Sequence, residues 1–331
     1  MTSPSPLRSV IGPAIADYVA LKQALGRSFA SETRVLISLD RFLATHSRDS
    51  TVLTPEAFAA WCLTLAHLSP TSRRIYMRVV RNLCLYIRRT DPGCFVPDLS
   101  TFPAVQPPQR PHIFSKDEIV RLLRTADELS PSPNSPLRGP MYRLGIVLLY
   151  TAGLRRGELV RLVLSDYDPI ERTLLIRASK FHKSRLVALS SDAAREMEVY
   201  LLARRRLPHD ADSPLLVRFS RGLRPRCAGG FSYCLRKLFL RVGLRTACGR
   251  LPRVHDLRHT HAVHVLLRWY HAGLDVQAKL PALAASMGHV SVVSTAYYLT
   301  LLDPVAEAAS DRFARHCAGL LAQLPGRGGE R

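Results

Sequence analysis

The stretch YRLGIVLLYTAGLRRGEL, residues 142–159, begins as an apolar run and ends in a turn rich in glycine and arginine. The apolar part predicts a buried helix from Tyr142 to Leu154. Residues 151–159 end that helix and begin another element. They place Arg155 beside a glycine turn, where backbone and guanidinium can closely approach a phosphate. The same residues are also compatible with an ordinary helix-turn-helix corner whose arginines are solvated.

A second motif, HDLRH, occupies residues 255–259. Residues three and four apart are neighbours on a helix, so His255, Arg258 and His259 share one or two adjacent faces of a helix start. Two histidines four residues apart also suit zinc, as in proteases with a His-Glu-x-x-His motif. Here Asp256 replaces the glutamate, and Arg258 puts a fixed positive charge where the cation would lie. We therefore predict no metal at this motif.

Between Arg172 and Leu189, two β-rich runs surround a polar turn, which predicts a hairpin. The turn contains two lysines, Lys180 and Lys183. Helical patterns dominate the rest of this half of the chain, at residues 193–205, 231–242, 257–269, 281–287 and 304–321. The pattern is that of a mainly helical domain with a small sheet.

Near the end of the chain, Gly288-His289 follows a helical stretch, and Tyr298 lies nine residues after the histidine. Tyr297 is its direct neighbour. Taken alone, a histidine after a glycine and a tyrosine pair on an amphipathic helix are more often core or cap residues than members of a catalytic site.

Five motifs follow one another along the chain: Thr-x-Gly-Leu-Arg-x-x-Glu-Leu, a hairpin lysine, His-x-Leu-Arg-His, Gly-His and a tyrosine nine residues later. Together they resemble the catalytic domain of tyrosine recombinases. This family includes phage integrases and the Xer-type and Cre-type enzymes. The resemblance spans residues 115 to about 318, and the helical amino-terminal part resembles the core-binding domain of the family. The fold expected is mainly α with a small antiparallel β-sheet, made of a helical core-binding domain and a tyrosine-recombinase catalytic domain.

The resemblance implies that Arg155 and Arg258 clamp the phosphate. Two histidines complete the phosphate-binding set: His255 and His289. Two further residues would support the site: Glu158, which is expected to orient Arg155, and His259, which is expected to lie behind the residues that touch the phosphate. The stretch from residue 271 to 289 is several residues longer than in Xer-type members, which leaves the local placement of His289 open.

By the same resemblance, Tyr298 is the nucleophile and Lys180 the hairpin lysine. Both keep the spacing of the family, whereas Tyr297 and Lys183 are the competing positions. A tyrosine with a pKa of about 10 is mostly protonated near neutrality, so its attack on a phosphodiester needs nearby positive charge and a proton acceptor. Lys180 would protonate the departing 5′ hydroxyl.

The arginines would stabilise the charge of the transition state, as metal ions do in other enzymes. We therefore expect neither a metal nor a cofactor. The first product would be a 3′-phosphotyrosine and a free 5′ hydroxyl, which conserves the bond energy. Rejoining would then need no nucleotide.

The composition agrees with a polyanionic partner. The chain has 331 residues, with 47 Lys and Arg against 26 Asp and Glu, a net charge of +21 and a pI near 10.4. Such a balance fits nucleic acid or an anionic membrane surface. No stretch approaches the roughly 18 apolar residues of a membrane span, which favours double-stranded DNA. The seven cysteines are scattered without a Cys-x-x-Cys pair, as expected for reduced thiols in a cytoplasmic protein.

Proline-rich residues 103–111, PAVQPPQRP, predict an extended linker. We therefore expect a helical DNA-binding domain at 1–102, a linker at 103–112 and a catalytic domain at 113–331 that ends in a further helix. Ser115-Lys-Asp-Glu118 predicts a capped helix start directly after the linker. In the first domain, the helix expected at residues 72–89 carries four arginines that are candidates for DNA contacts: Arg73, Arg74, Arg78 and Arg81.

The resulting hypothesis is a site-specific DNA recombinase that serves integration or transposition of a mobile element. Monomers would assemble into a tetramer on paired DNA sites, with co-encoded recombinases as candidate partners. Two alternatives share the charge: a sequence-specific DNA-binding protein without catalysis, and a type IB topoisomerase. The first should have lost at least one site residue, and the size and the motif spacing disfavour the second.

Overall fold

The computed structural model describes residues 7–46, 53–107, 109–177, 184–219, 222–225, 227–289 and 291–300. The chain divides into two compact units, Met1–Gln109 and Arg110–Arg331. This division falls inside the proline-rich segment. Lys180, Lys183 and the helix expected at 304–321 lie outside the described residues.

The described part of the first unit contains the helices α1 (Gly12–Ala24), α2 (Ala30–His46), α3 (Pro55–Thr64) and α4 (Pro70–Ile87). Helices α3 and α4 each begin with a proline, because the fixed φ of proline suits the first helical position. The hydroxyls of Thr54 and Ser69 accept hydrogen bonds from the backbone of the first turn. Leu36, Leu39 and Leu83 are fully buried in the core of this unit.

The described helices of the second unit are α5 (Lys116–Asp127), α6 (Arg138–Thr151), α7 (Arg156–Leu159), α8 (Ser191–Arg204), α9 (Ala228–Arg241), α10 (Asp256–His271), α11 (Val276–Met287) and α12 (Val293–Thr300). Helix α6 is buried over most of its surface, as its apolar sequence predicts, and packs against α5, α8 and α10. The predicted capping box at Ser115 and Glu118 is confirmed.

Three short strands form an antiparallel sheet in the order β1 (Tyr167–Asp168), β2 (Thr173–Ile176) and β3 (Arg185–Ala188). Leu174 pairs with Val187, and both side chains are buried. Leu186, the neighbour of Val187 in β3, points outward and is exposed, which gives the two-residue alternation of a half-buried strand. The prediction of a mainly helical fold with a small antiparallel sheet is confirmed.

The structure differs from the sequence prediction in several elements. Helix α6 ends at Thr151 and not at Leu154, because the chain turns at Gly153. A second hairpin, β4 (Val217–Phe219) and β5 (Leu223–Pro225), was not predicted, because three-residue strands are too short to produce a periodic signal. Helix α11 begins at Val276 and not at Pro281, because Asp275 caps the helix through the backbone N–H of Ala278. Pro281 lies inside the helix, where it removes one backbone hydrogen bond.

A small cluster at the end of the described chain joins the last three helices. It contains Val263 and Leu266 of α10, Leu283 and Met287 of α11, and Tyr298 of α12. This packing places α12 against the motif-bearing start of α10. None of the described helices is long and apolar enough to cross a membrane.

Candidate active site

The turn after α6 sets the position of Arg155. Gly153 has φ +60°, in the left-handed region that favours glycine. A Cβ at this position would also lie 2.5 Å from Cδ2 of His261. Arg155 then follows in extended backbone, immediately before the first residue of α7. The guanidinium is therefore presented by a turn that only glycine can make.

Glu158 is the buried acceptor that orients this arginine. The backbone N–H of Arg155 donates to Oε2 at 2.8 Å, and Nη1 of Arg155 donates to Oε1 at 2.8 Å. Burial by itself would raise the pKa of Glu158, but hydrogen bonds and charge from Arg185 and Arg155 lower it to about 2. The side chain is thus a carboxylate at neutral pH. The contact expected between Glu158 and Arg155 is present.

Arg185, the first residue of β3, binds the same carboxylate from the other side. Its Nη1 and Nη2 donate to the two oxygens of Glu158 at 3.0 and 2.9 Å. Its Nε donates to the carbonyl of Ser286 at 2.7 Å. With 11% of its side chain exposed, Arg185 is a largely buried part of the site.

Arg258 lies on the first turn of α10 and is 1% exposed. Nη1 donates to the carbonyl of Gly153 at 2.5 Å, and Nη2 donates to the carbonyl of Met287 at 2.6 Å. Burial and the neighbouring charge of Arg155 lower the pKa of Arg258 to about 10. The guanidinium therefore keeps its positive charge at neutral pH.

The end of α11 holds three arginines together. The carbonyls of residues 286, 287 and 288 accept hydrogen bonds from Arg185, Arg258 and Arg155, respectively, the last at 2.6 Å. Carbonyls at the carboxyl end of a helix carry partial negative charge, which offsets repulsion between the guanidiniums. The negative charge of Glu158 adds to this effect. Together these residues form a site with an excess of positive charge.

The two adjacent tyrosines occupy different environments. Tyr298 is 3% exposed and belongs to the core cluster, whereas Tyr297 is 40% exposed. The hydroxyl of Tyr298 lies 3.1 Å from Nδ1 of His259. Burial raises the pKa of Tyr298, while Arg258 and Arg155 act in the opposite direction. Tyr298 is therefore the tyrosine that points into the site.

The histidines of both motifs surround this hydroxyl. His289 stacks on Tyr298 with ring centroids 6.1 Å apart, and its Nδ1 lies 2.7 Å from the hydroxyl of buried Thr295. His255 packs edge-on against His259 at 4.6 Å. Burial, together with the positive charge of nearby Arg258, lowers the pKa of His259 and of His289 to about 4. Both rings are neutral at pH 7, so they can accept hydrogen bonds.

In the part of the chain that the structure describes, no group of three or more His, Cys, Asp or Glu side chains is arranged to hold a metal ion. His255 packs against His259, which in turn packs against Tyr298, in a cluster with Arg258. The chemical groups of this site are guanidiniums, imidazoles and a phenol, together with the buried carboxylate of Glu158.

Comparison with known proteins agrees with this geometry. The model of the phage integrase family matches residues 112–303, which include all the motifs described above. The chain belongs to the phage integrase family. The match covers more than half of the sequence and coincides with most of the second compact unit.

Relatives of this integrase-family chain carry matching names. An integrase/recombinase of Sinorhizobium fredii, y4rB, is 33% identical over 88% of this chain and 93% of its own length. The tyrosine recombinase XerD of Rhizobium meliloti is 32% identical over 58% of each chain. The first similarity extends across both compact units.

Solved structures of integrases and recombinases share the fold. The Tn1549 transposon integrase, in complex with a circular intermediate DNA, matches with a TM-score of 0.62 and 16% identity over 92% of this chain and 99% of that one. The XerH site-specific recombinase, bound to its palindromic difH substrate, matches with a TM-score of 0.61 and 17% identity over 86% and 79% of the two chains. At these identities the comparison concerns the fold alone.

Within this integrase-family site, the structure brings together all but one of the residues proposed from the sequence for catalysis and support. They are Arg155, Glu158, His255, Arg258, His259, His289 and Tyr298. The exception is Lys180, which is outside the described residues. His259, which was expected to support the site, lies against the hydroxyl of Tyr298.

Two residues of the site were not singled out from the sequence. Arg185 follows the lysine-containing turn, and no local pattern distinguishes it from the other arginines of the chain. Thr295 lies one helical turn before Tyr298, so an i to i+3 spacing from the nucleophile is the signal that could have identified it. Both make their decisive contacts with residues from other segments.

The four arginines proposed for DNA contacts all lie on α4, but not in equivalent surroundings. Nη1 of Arg74 donates to the carbonyl of Pro103 at 2.7 Å, and Nε of Arg81 donates to the carbonyl of Pro97 at 3.0 Å. These two guanidiniums fasten the segment that follows α4. Arg73 is half-buried, whereas Arg78 is exposed.

Proposed function

We propose that this member of the phage integrase family is a site-specific recombinase that cleaves and rejoins double-stranded DNA through a covalent bond to Tyr298. The observation that carries the proposal is the environment of the Tyr298 hydroxyl. It is buried, it contacts the neutral imidazole of His259, and it is close enough to Arg258 and Arg155 for their charges to act on its pKa. These are the requirements for a tyrosine that attacks a phosphodiester.

The arginines would bind the scissile phosphate. A guanidinium has five N–H donors, so Arg155 can bind Glu158 and Gly288 and still donate to a phosphate oxygen. Arg258 would bind a second non-bridging oxygen from the buried side. The two guanidiniums would stabilise the additional negative charge of the five-coordinate transition state.

In the cleavage step, the oxygen of Tyr298 forms a bond to phosphorus while the bond from phosphorus to the 5′ oxygen breaks. His259 would accept the proton of the attacking hydroxyl, and His289 would fix the ring by stacking on it. Lys180 would protonate the departing 5′ oxygen, a role that follows from the family motif. His255 would complete the phosphate-binding set.

The product of this step is a 3′-phosphotyrosine with a free 5′ hydroxyl. Attack by a 5′ hydroxyl from a partner strand would reverse the chemistry and join a new strand. We further propose that four copies assemble on two paired DNA sites, and that the reaction serves integration or transposition of a mobile element. Two relatives from Sinorhizobium fredii that are named integrase/recombinase, y4rB and y4rE, support this role. Co-encoded recombinases are candidate partners.

The test uses covalent capture, since the DNA site is unidentified. The full-length protein is incubated with a library of random duplexes that each contain a nick near the centre, so that cleavage releases a short fragment and traps the adduct. Protein that carries DNA after denaturation in detergent is isolated, and the attached DNA is sequenced. We expect the wild-type protein to select a defined DNA site through the adduct.

Two tyrosine variants make the assignment specific. Tyr298→Phe should abolish the adduct, because it lacks the attacking oxygen but retains the ring that packs in the core. Tyr297→Phe should form it at a rate close to wild type, because that side chain is exposed. An adduct with Tyr298→Phe would refute the nucleophile, and DNA binding without any adduct in the wild type would favour a non-catalytic DNA-binding protein.

A further inference from the structure

We infer that Arg185 is a positioning residue for strand cleavage: it holds Glu158, and through Glu158 it holds Arg155, in the orientation that receives the phosphate. The inference rests on the proposed function, because it assigns a role in the same site. Arg185 does not contact the Tyr298 hydroxyl in the described structure, and we assign it no direct part in the chemistry.

The contacts of Arg185 complete a closed circuit. From Arg185 the circuit passes to the carboxylate of Glu158, then to the guanidinium of Arg155, and then to the carbonyl of Gly288. It returns along the chain to Ser286, whose carbonyl accepts from Nε of Arg185. Three separate elements, α7, β3 and the end of α11, are therefore joined by side-chain hydrogen bonds around one carboxylate.

The geometry of the circuit requires an arginine. Arg185 uses its two terminal nitrogens on the two oxygens of Glu158, and uses Nε on a carbonyl in another direction. A planar guanidinium holds these donors at fixed angles, whereas the ammonium of a lysine is a point charge on a flexible stem. The pair is buried, with 11% of the arginine side chain and 2% of the glutamate side chain exposed, so solvent screens it little.

The location of Arg185 in the fold gives the circuit a second connection. Arg185 begins β3 and pairs with Ile176, the last residue of β2. The segment between these two strands contains Lys180, the proposed acid for the leaving group. The same guanidinium thus joins the start of β3 to the arginine that would bind the phosphate.

The test separates binding from chemistry. Arg185→Lys and Arg185→Gln are compared with the wild-type protein on the captured DNA site, in two measurements: the Kd of the complex, and the rate constant of adduct formation at saturating DNA. We expect both variants to form the adduct on the order of 10- to 100-fold more slowly, because small displacements of a catalytic group have effects of this size. The Kd should change by less than about threefold, since many other phosphate contacts determine the affinity.

Arg177→Lys provides a matched control. Arg177 lies at the other end of the same hairpin segment and also binds a buried carboxylate, that of Asp166, but it is half-exposed and makes no described contact with the circuit. Its variant should cleave at a rate close to wild type. Arg185→Lys retains the charge, so an unimpaired rate for this variant would overturn the inference even if Arg185→Gln fails to fold.

A double-variant cycle tests the route through Glu158. If Arg185 acts by holding Glu158, the combination of Glu158→Gln with Arg185→Lys should be no slower than the slower single variant. Multiplicative effects would overturn the inference. A wild-type protein that forms no adduct would overturn the proposed function and this inference together, whereas a wild-type adduct with an unimpaired Arg185→Lys refutes the inference alone.

Discussion

Two guanidiniums limit what residue 288 can be. Gly288 has φ +67°, which costs a residue with a Cβ about 1–2 kcal/mol. A Cβ there would also lie 2.7 Å from Nη1 of Arg185 and 3.2 Å from Nη1 of Arg155. A substitution therefore meets backbone strain and a collision with the site at the same time. The backbone conformation and the two neighbouring guanidiniums therefore explain why the first residue of the Gly-His motif is a glycine.

Gly288→Ala should lower both stability and cleavage. We expect the free energy of unfolding to fall by about 2–3 kcal/mol, because the cost of the strained backbone adds to the cost of displacing a buried ion pair. The rate of adduct formation should fall as well, because Arg185 and Arg155 must move. Urea denaturation and the rate at saturating DNA measure the two effects.

Gly243→Ala is the control for this prediction. Gly243 has φ +74°, but an added Cβ would meet nothing within 4 Å. Backbone strain alone should therefore lower the free energy of unfolding of this variant, by about 1–2 kcal/mol, and its rate of DNA cleavage should equal that of the wild type. Equal losses of stability and equal rates for the two variants would show that the collision with the arginines has no effect.

Three elements meet at Glu158, which itself lies on the single-turn helix α7. Such a helix has little stability of its own, because four residues cannot repay the cost of helix nucleation. Its position is set by the carboxylate, which accepts from the backbone of Arg155 and from two guanidiniums. The placement of α7, β3 and the end of α11 should therefore depend on the ionisation of one side chain.

This dependence predicts a pH effect on stability. The pKa of Glu158 is lowered from its ordinary value near 4.5 to about 2 in the folded protein. The carboxylate therefore stabilises the fold above about pH 4.5, and that contribution is lost as pH falls from 4.5 towards 2. Between pH 6 and pH 3, the loss attributable to Glu158 should be on the order of 2 kcal/mol.

Glu158→Gln isolates this contribution, because the amide cannot titrate. The free energy of unfolding of the wild-type protein should fall more steeply below pH 4.5 than that of the variant. Both proteins would be measured by denaturant titration at each pH. Parallel curves would mean that the carboxylate does not titrate in this range and that another group sets the acid limit.

The sequence predicted elements with local signals and missed contacts that depend on tertiary structure. The capping box at Ser115 and the alternation around Leu174 both come from neighbouring residues, and both are found in the structure. The contact of Arg185 with Glu158 joins residues 27 positions apart, and that of His259 with Tyr298 joins residues 39 positions apart. No periodic pattern encodes such pairs.

Positive charge extends over the whole chain. Residues 1–102 contain 12 Lys and Arg against 7 Asp and Glu, and the rest of the chain accounts for the larger share of the net charge of +21. Such a distribution favours DNA contacts by both units, with an affinity that falls steeply as salt increases. Individual arginines nevertheless differ in their contacts: on α4, Arg81 donates to a backbone carbonyl, whereas Arg78 is exposed.

Arg78→Gln and Arg81→Gln should affect different properties of the protein, the first DNA binding and the second stability. Arg78 is exposed on α4, so its loss should weaken DNA binding and reduce the slope of log K against log salt by about 1, with stability unchanged within about 0.5 kcal/mol. Arg81 donates to the carbonyl of Pro97, so its loss should lower the free energy of unfolding by about 1 kcal/mol. Binding titrations at several salt concentrations and urea denaturation distinguish the two. An unchanged salt slope for Arg78→Gln would place α4 away from the DNA phosphates.

Three arginines donate hydrogen bonds to the carbonyls of residues 286–288, and these bonds determine where the chain can accept an insertion or a deletion. Residues 272–275, which connect α10 to α11, are exposed, and the arginines fasten the opposite end of α11. An insertion in this connection would shift the start of α11 and leave His289 and Tyr298 in place. An added residue in this connection should therefore leave the site intact, whereas an added residue between Gly288 and Tyr298 should displace the tyrosine from it.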